Sequence, residues 1–191
     1  MIITYNDRQM LELWRLGAGL EPAFADSSVE RFDALDIDRR LQIAMRAWYI
    51  DYLVNGPAEL VPVDDLTKYT QMSEVEGHGY WLLNLMCETA RITEITLKGY
   101  GPLTIIDAHD NDFAATAWRL ANRMTRHGST TTAVYRRGTP TAIVNVKRKT
   151  PPVILSVRGV VIPDDDKYVF DERVMAQIPE LATKALFNTP L

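Results

Sequence analysis

The apolar positions of this chain follow a helical period in its first third and a shorter, strand-like period in most of the remainder. Residues 6–16, NDRQMLELWRL, set Met10, Leu13 and Trp14 at helical spacing behind Asn6, an N-cap residue with Gln9 three positions on, and Gly17 supplies a stop. The spacing predicts a short helix there, followed by a loop through GAGLEPAFADSS. A longer helix is predicted from about Asp36 to Val54, with one stripe of Ile37, Leu41, Met45, Trp48 and Tyr52 and a second of Ile43, Ala47, Ile50 and Leu53. A helix apolar on two faces packs on two sides. In a chain of this size one side is expected to be covered by another subunit or by the segment that follows, which makes Trp48 and Tyr52 expected oligomer-interface residues.

Between Gly56 and Gly79 the periodicity breaks up around Pro57, Pro62 and the charge-mixed DDLTKYTQMSEVEGHG, read as a loop or linker. Beyond it Tyr80–Met86, the alternating ITEITL of Ile92–Leu97, and LTII at 103–106 read as short strands. A helix is predicted from about Asn111 to His127, with Gly128 as its stop. TTTAVYRRGTPTAIVNV reads as a hairpin turning at RRGT, and PPVILSVRGVVIP as one or two further strands. A closing helix in FDERVMAQIPELATKALF is capped by Asp171 and divided or kinked at Pro179.

The expected fold class is therefore α+β. It comprises N-terminal helices, a central and mostly antiparallel β region with a hairpin and one intervening helix, and a C-terminal helix. The expected organisation is one domain, with a helical part at 1–56, the loop or linker at 57–79 and a mixed part at 80–191.

Composition narrows the function. With 191 residues, 47% of them hydrophobic, the chain is long enough for a real core. Its apolar runs, such as 81–83 and 160–162, are far shorter than the roughly 20 residues of a membrane span. The start MIITYNDRQ lacks the basic and long apolar regions of a signal peptide, so a cytoplasmic setting is expected. The single cysteine, Cys87, lies in the apolar WLLNLMCET and reads as a small packed residue without a disulfide partner.

The net charge of −4 conceals a strong division. From Phe113 to Pro163 there is no Asp or Glu, while nine of the 21 Lys and Arg lie there: Arg119, Arg123, Arg126, Arg136, Arg137, Lys147, Arg148, Lys149 and Arg158. Such asymmetry points to a polyanion or to an acidic face of another subunit. Arg119, Arg123 and Arg126 share a helix face at i, i+4 and i+7, which by itself is also what a solvated face looks like. Joined to Arg136 and Arg137 at the hairpin tip and Lys147, Arg148 and Lys149 at its exit, they make a candidate partner-binding surface. Nucleic acid is one partner such a surface fits, but Tyr135 is the only aromatic residue between Trp118 and Tyr168 to serve as a stacking platform. An acidic protein face is the favoured partner.

IIDAHDND at 105–112 brings Asp107, His109, Asp110 and Asp112 together, donors of the kind a hydrolytic metal site uses. The alternative reading explains more. Asp110 or Asn111 caps the following helix, Asp112 meets the positive end of its dipole, and Asp107 ends a strand. No nucleophile-elbow, Walker or dinucleotide glycine pattern is present, and GYG at 99–101 precedes a strand rather than opening a helix. No cofactor and no catalytic centre are expected. A metal-dependent hydrolase at 107–112 is the least favoured of three readings, behind an assembly subunit and a nucleic-acid-binding protein.

RAWYIDYL in the helical half, then IIDAHDNDFAATAWRLANRMTRHGSTTTAVYRRGTPTAIV, then MAQIPELATKAL together resemble, in element order and size, the head-to-tail connector proteins of tailed phages, the adaptor or ring subunits below the portal. The resemblance implies a non-enzymatic ring subunit built from a helical bundle with an inserted β region. Its partners would be identical subunits and neighbouring ring, portal or tail proteins. It would be assembled in the bacterial cytoplasm and carried in the virion. Rings join through heterologous interfaces, for which an acidic half and a basic half are suited.

Overall fold

A computed structural model of the chain describes residues 1–20, 28–74, 80–107, 131–135, 139–146, 150–163 and 167–187, with the side chains of 28–35 left out. The fold is α+β, and it divides into two compact units, Met1–Pro62 with Pro163–Leu191, and Val63–Ile162. This division differs from the sequence-based one. The last part of the chain belongs with the first, and residues 63–74 belong to the β unit rather than to a linker.

In the first unit, β1 (Ile2–Asn6) leads into α1 (Asp7–Gly17), and α2 covers Ser28–Asn55. Asn6 and Gln9 form the reciprocal capping box the sequence predicts: the Asn6 side chain accepts from the Gln9 amide at 2.9 Å, and the Gln9 side chain accepts from the Asn6 amide at 3.0 Å. α2 begins eight residues earlier than the periodicity suggested. At 28 residues and 1.5 Å per residue it is about 42 Å long, well over twice the length of α1.

Two ion pairs fix α1 antiparallel along α2. Asp7 meets Arg46 at 3.4 Å and Arg15 meets Asp38, so eight positions along one helix match eight positions back along the other. After the second unit the chain returns as β11 (Lys167–Asp171), which pairs antiparallel with β1 from Ile2 opposite Asp171 to Asn6 opposite Lys167. Asp171 then caps a 3-10 turn, Glu172–Gln177, and α3 runs Ile178–Phe187, so the break falls next to Pro179. The three helices and the ribbon share a core of Met10, Trp14, Leu41, Met45, Tyr49, Leu53, Tyr168, Phe170, Val174 and Ile178, all buried.

The second unit holds two sheets. One has the order β2 (Asp64–Asp65), β10 (Ile154–Val161), β5 (Thr89–Leu97), β6 (Gly101–Pro102). The other has the order β3 (Thr70–Glu74), β4 (Trp81–Leu85), β9 (Thr141–Asn145), β8 (Thr132–Tyr135), β7 (Thr104–Asp107). The chain passes between the sheets at both margins, from β2 to β3 through the 3-10 turn Thr67–Tyr69 and from β6 to β7 across Leu103. Trp81, Leu83, Ile95, Leu97, Tyr135, Val144 and Val157, drawn from both sheets, form one core between them with Leu66 from the link between the sheets.

β8 and β9 are the predicted antiparallel hairpin, whereas β7 and β8 pair in parallel, which requires a crossover connection. The predicted helix at 111–127 lies outside the described residues, as does the hairpin tip. Gly99 and Gly101 both have φ in the left-handed region, +84° and +72°, so GYG is the tight turn from β5 to β6 and not a phosphate cradle.

Candidate assembly surface

Both stripes of α2 are apolar in sequence, and the structure sorts them. Leu41, Met45 and Tyr52 of the first stripe are buried in the unit's own core together with Tyr49, and so is Leu53, which the sequence reading placed in the second stripe. Trp48 is half-buried, its ring 5.9 Å from that of Trp14, 5.8 Å from Tyr52 and 6.0 Å from Phe170. Trp48 and Tyr52, expected at a subunit interface, are therefore turned inward. The cause lies at the tips of two tyrosines.

In β11 the backbone groups of Val169 and Asp171 point away from β1. Tyr49 Oη accepts from the Val169 amide at 2.7 Å and donates to the Val169 carbonyl at 3.2 Å. Tyr52 Oη accepts from the Asp171 amide at 3.5 Å and donates to the Leu60 carbonyl. The two hydroxyls, one helical turn apart, close an edge that would otherwise present bare ladder groups. Leu60, in the segment read as a linker, thus covers part of this face, one of the two coverings the sequence allowed. Burial pushes the Tyr49 hydroxyl up to about 12, against the opposing effect of its bond to Val169. Tyr168, whose hydroxyl donates to Asp7 at 2.7 Å, is pushed up to about 12 by burial first and by that bond second. Tyr49 was in neither sequence stripe, although its spacing from Met45 and Tyr52 would have placed it on the inner one.

The opposite face of α2 stays at the surface. Ile43 is 63% exposed, Ile50 is 50% exposed and Ala47 between them is exposed. Arg39 and Arg40 stand at the N-terminal side of this stripe and Asp51 at its C-terminal side. Arg40 pairs with Asp36 within the helix at 2.9 Å, and the Asp51 carboxylate accepts from Asn55 at 2.8 Å.

Family models, curated proteins and solved structures offer no match to this chain. The surface has to be read from its own chemistry.

The expected basic surface falls largely outside the described residues, which exclude Arg119, Arg123, Arg126, Arg136, Arg137, Lys147, Arg148 and Lys149. Arg158 is described and is exposed on β10, opposite Asp65 of β2 and Glu94 of β5. The Asp65 carboxyl is held below its ordinary range, mainly by hydrogen bonds from the Thr67 side chain and amide, with smaller contributions from Lys68 and Arg158. A cation without acidic neighbours in sequence thus gains two across strands. Tyr135, the one aromatic between Trp118 and Tyr168, is buried and donates its hydroxyl to the Ala90 carbonyl at 3.0 Å, tying one sheet to the other. It offers no ring for a base to stack on.

Asp107 is exposed as the last residue of β7, and His109, Asp110 and Asp112 lie outside the described residues. Among the described residues no three His, Cys, Asp or Glu side chains converge as metal ligands would, and no helix is long and apolar enough to cross a membrane. Cys87 is half-buried with its sulfur 3.6 Å from the Thr89 hydroxyl.

Proposed function

We propose that the chain is a non-enzymatic structural subunit that works by associating with copies of itself and with neighbouring components of an assembly. The outer face of α2 carries this reading. Single exposed apolar residues are ordinary, but Ile43, Ala47 and Ile50 recur at i, i+4 and i+7 on a helix whose other face is already committed to a core. Burying one large aliphatic side chain is worth about 1.5–3 kcal/mol, so a partner that covers this stripe gains from each isoleucine. The resemblance to head-to-tail connectors supplies the setting, a ring between portal and tail. Its subunits would join by unlike faces, to which a chain divided into acidic and basic stretches is suited.

The nucleic-acid reading is the alternative, and the inward Tyr135 weighs against it by withdrawing a stacking platform. Mass photometry of the purified chain tests the proposal. Species at multiples of 21.7 kDa, with closed rings in negative stain, are the expected result. A strict monomer, or steeply salt-dependent binding to random duplex or single strands near physiological ionic strength, would count against it.

A further inference from the structure

We infer that the outer face of α2 is covered by the same face of a second copy, the two helices running antiparallel about a two-fold axis at the level of Met45. This rests on the self-association proposed above and specifies its geometry. Asp36, Arg40, Ile43, Ala47, Ile50 and Val54 follow one another at steps of four, three, four, three and four, the alternation that keeps a seam facing one partner helix. From Arg40 to Val54 the seam is about 21 Å long, enough for several side-chain layers.

Charge selects the direction. With parallel helices, Arg40 would face the second copy's Arg40 and Asp51 would face its Asp51. With antiparallel helices centred at Met45, Arg40 comes level with Ile50 and Asp51 of the second copy, and the two-fold repeats that attraction at the other end. In the middle, Ile43 of each copy lies over Ala47 of the other, a large side chain on a small one, which lets the helices approach closely.

Of the remaining charges, Arg46 lies one residue from the axis and so beside its mate in the second copy, a repulsion that its own neighbours offset. Arg46 is drawn towards Asp7 at 3.4 Å and towards the Tyr168 hydroxyl. The pair of Arg40 with Asp36 is a partly exposed i, i+4 pair, which a guanidinium exchanges at little cost. Arg39, exposed, flanks the seam at the same end as Arg40 but on the side away from Asp51. A two-fold contact closes after two copies and so cannot itself build a ring. It is separable from the heterologous contact of a ring and would join rings, or free subunits, in pairs.

Sedimentation velocity of the full chain across a concentration series tests this, with circular dichroism to confirm that each variant is folded. Wild type is expected to associate into even-numbered species, and Ile43→Lys to weaken that association by about 100-fold, equivalent to two decades in Kd. Arg40→Glu and Asp51→Arg should each weaken it alone, and an equimolar mixture of the two should recover it, because every mixed contact then pairs unlike charges. For direction, a spin label at Asp36→Cys, with Cys87→Ser to remove the native thiol, should lie about 27 Å from its mate in antiparallel pairs, eighteen residues at 1.5 Å each. Labels closer than about 15 Å would indicate parallel helices and overturn the inference. Association that persists unchanged in Ile43→Lys would overturn the inference and leave the assembly reading standing, with another surface responsible. A wild-type chain that stays monomeric would overturn both.

Discussion

Removing a single oxygen atom tests the reason α2 faces the way it does. In Tyr49→Phe the ring stays in its place, 4.9 Å from the ring of Tyr168, but the amide and carbonyl of Val169 lose their partner. A buried polar group left without its hydrogen bond costs about 1–3 kcal/mol. Val169 is half-buried, so water reaches it in part and the loss should fall in the lower half of that range. For a chain of this length, each kcal/mol lowers the midpoint by roughly 2–4 °C. Urea unfolding followed by tryptophan fluorescence gives the free energy, and amide hydrogen exchange at Val169 gives the local effect. That amide should exchange faster in the variant, while amides in Leu83–Leu85 of the β unit keep their rates. A stability within a few tenths of a kcal/mol of wild type, with Val169 exchange unchanged, would refute the edge-closing role of the tyrosines.

Gly159→Ala should destabilise the β unit by about 1–3 kcal/mol, because its methyl would sit 2.7 Å from the Arg91 carbonyl oxygen and 2.8 Å from Leu66 Cδ1; an unchanged urea midpoint would show that the strands part there freely. Alkali should loosen the helical unit: Tyr49 and Tyr168 are raised to about 12 from an ordinary 10, so the fold favours their neutral forms. The stabilisation this confers is complete below about pH 10 and is lost as pH rises from there through about 12. Urea midpoints that fall across that window alongside rising tyrosinate absorbance are expected, and a flat profile would contradict the assignment. Leu41→Ala, at a fully buried position on the inner face of α2, should cost about 2–5 kcal/mol, where Ile43→Ala on the outer face should cost the isolated chain less than about 0.5 kcal/mol; equal losses would mean the faces are wrongly assigned.

What the sequence makes legible here is what is decided locally. The capping box of Asn6 and Gln9 needs four residues, and the β8–β9 hairpin needs only two β-rich runs and a turn. β1 is not legible in this way, since its five residues become a strand only by pairing with Lys167–Asp171 at the far end of the chain. The 57–79 segment looked like a linker because a two-residue strand and a 3-10 turn carry no period and β3, TQMSE, has a single apolar residue. They are held instead by distant bonds, Leu66 amide to Val157 carbonyl at 2.8 Å and Val157 amide to Thr67 Oγ1 at 3.0 Å.

The two stripes of α2 could not be ranked from hydrophobicity alone. Hydroxyl groups broke the tie, because an aromatic ring with a polar tip can be buried where that tip finds a strand edge, as Tyr49 and Tyr52 do. Charge was legible along the chain but not across it, as Arg158 between Asp65 and Glu94 illustrates.

The most direct test of the assembly reading is the light-scattering mass of the wild-type chain beside that of an Ile43→Lys, Ile50→Lys variant, both measured from low micromolar to several hundred micromolar. The wild-type mass is expected to climb above 21.7 kDa with concentration, and the folded variant's mass to stay lower at every concentration. A wild-type mass fixed at 21.7 kDa throughout, or two indistinguishable curves, would contradict the claim that the outer face of α2 exists to be covered.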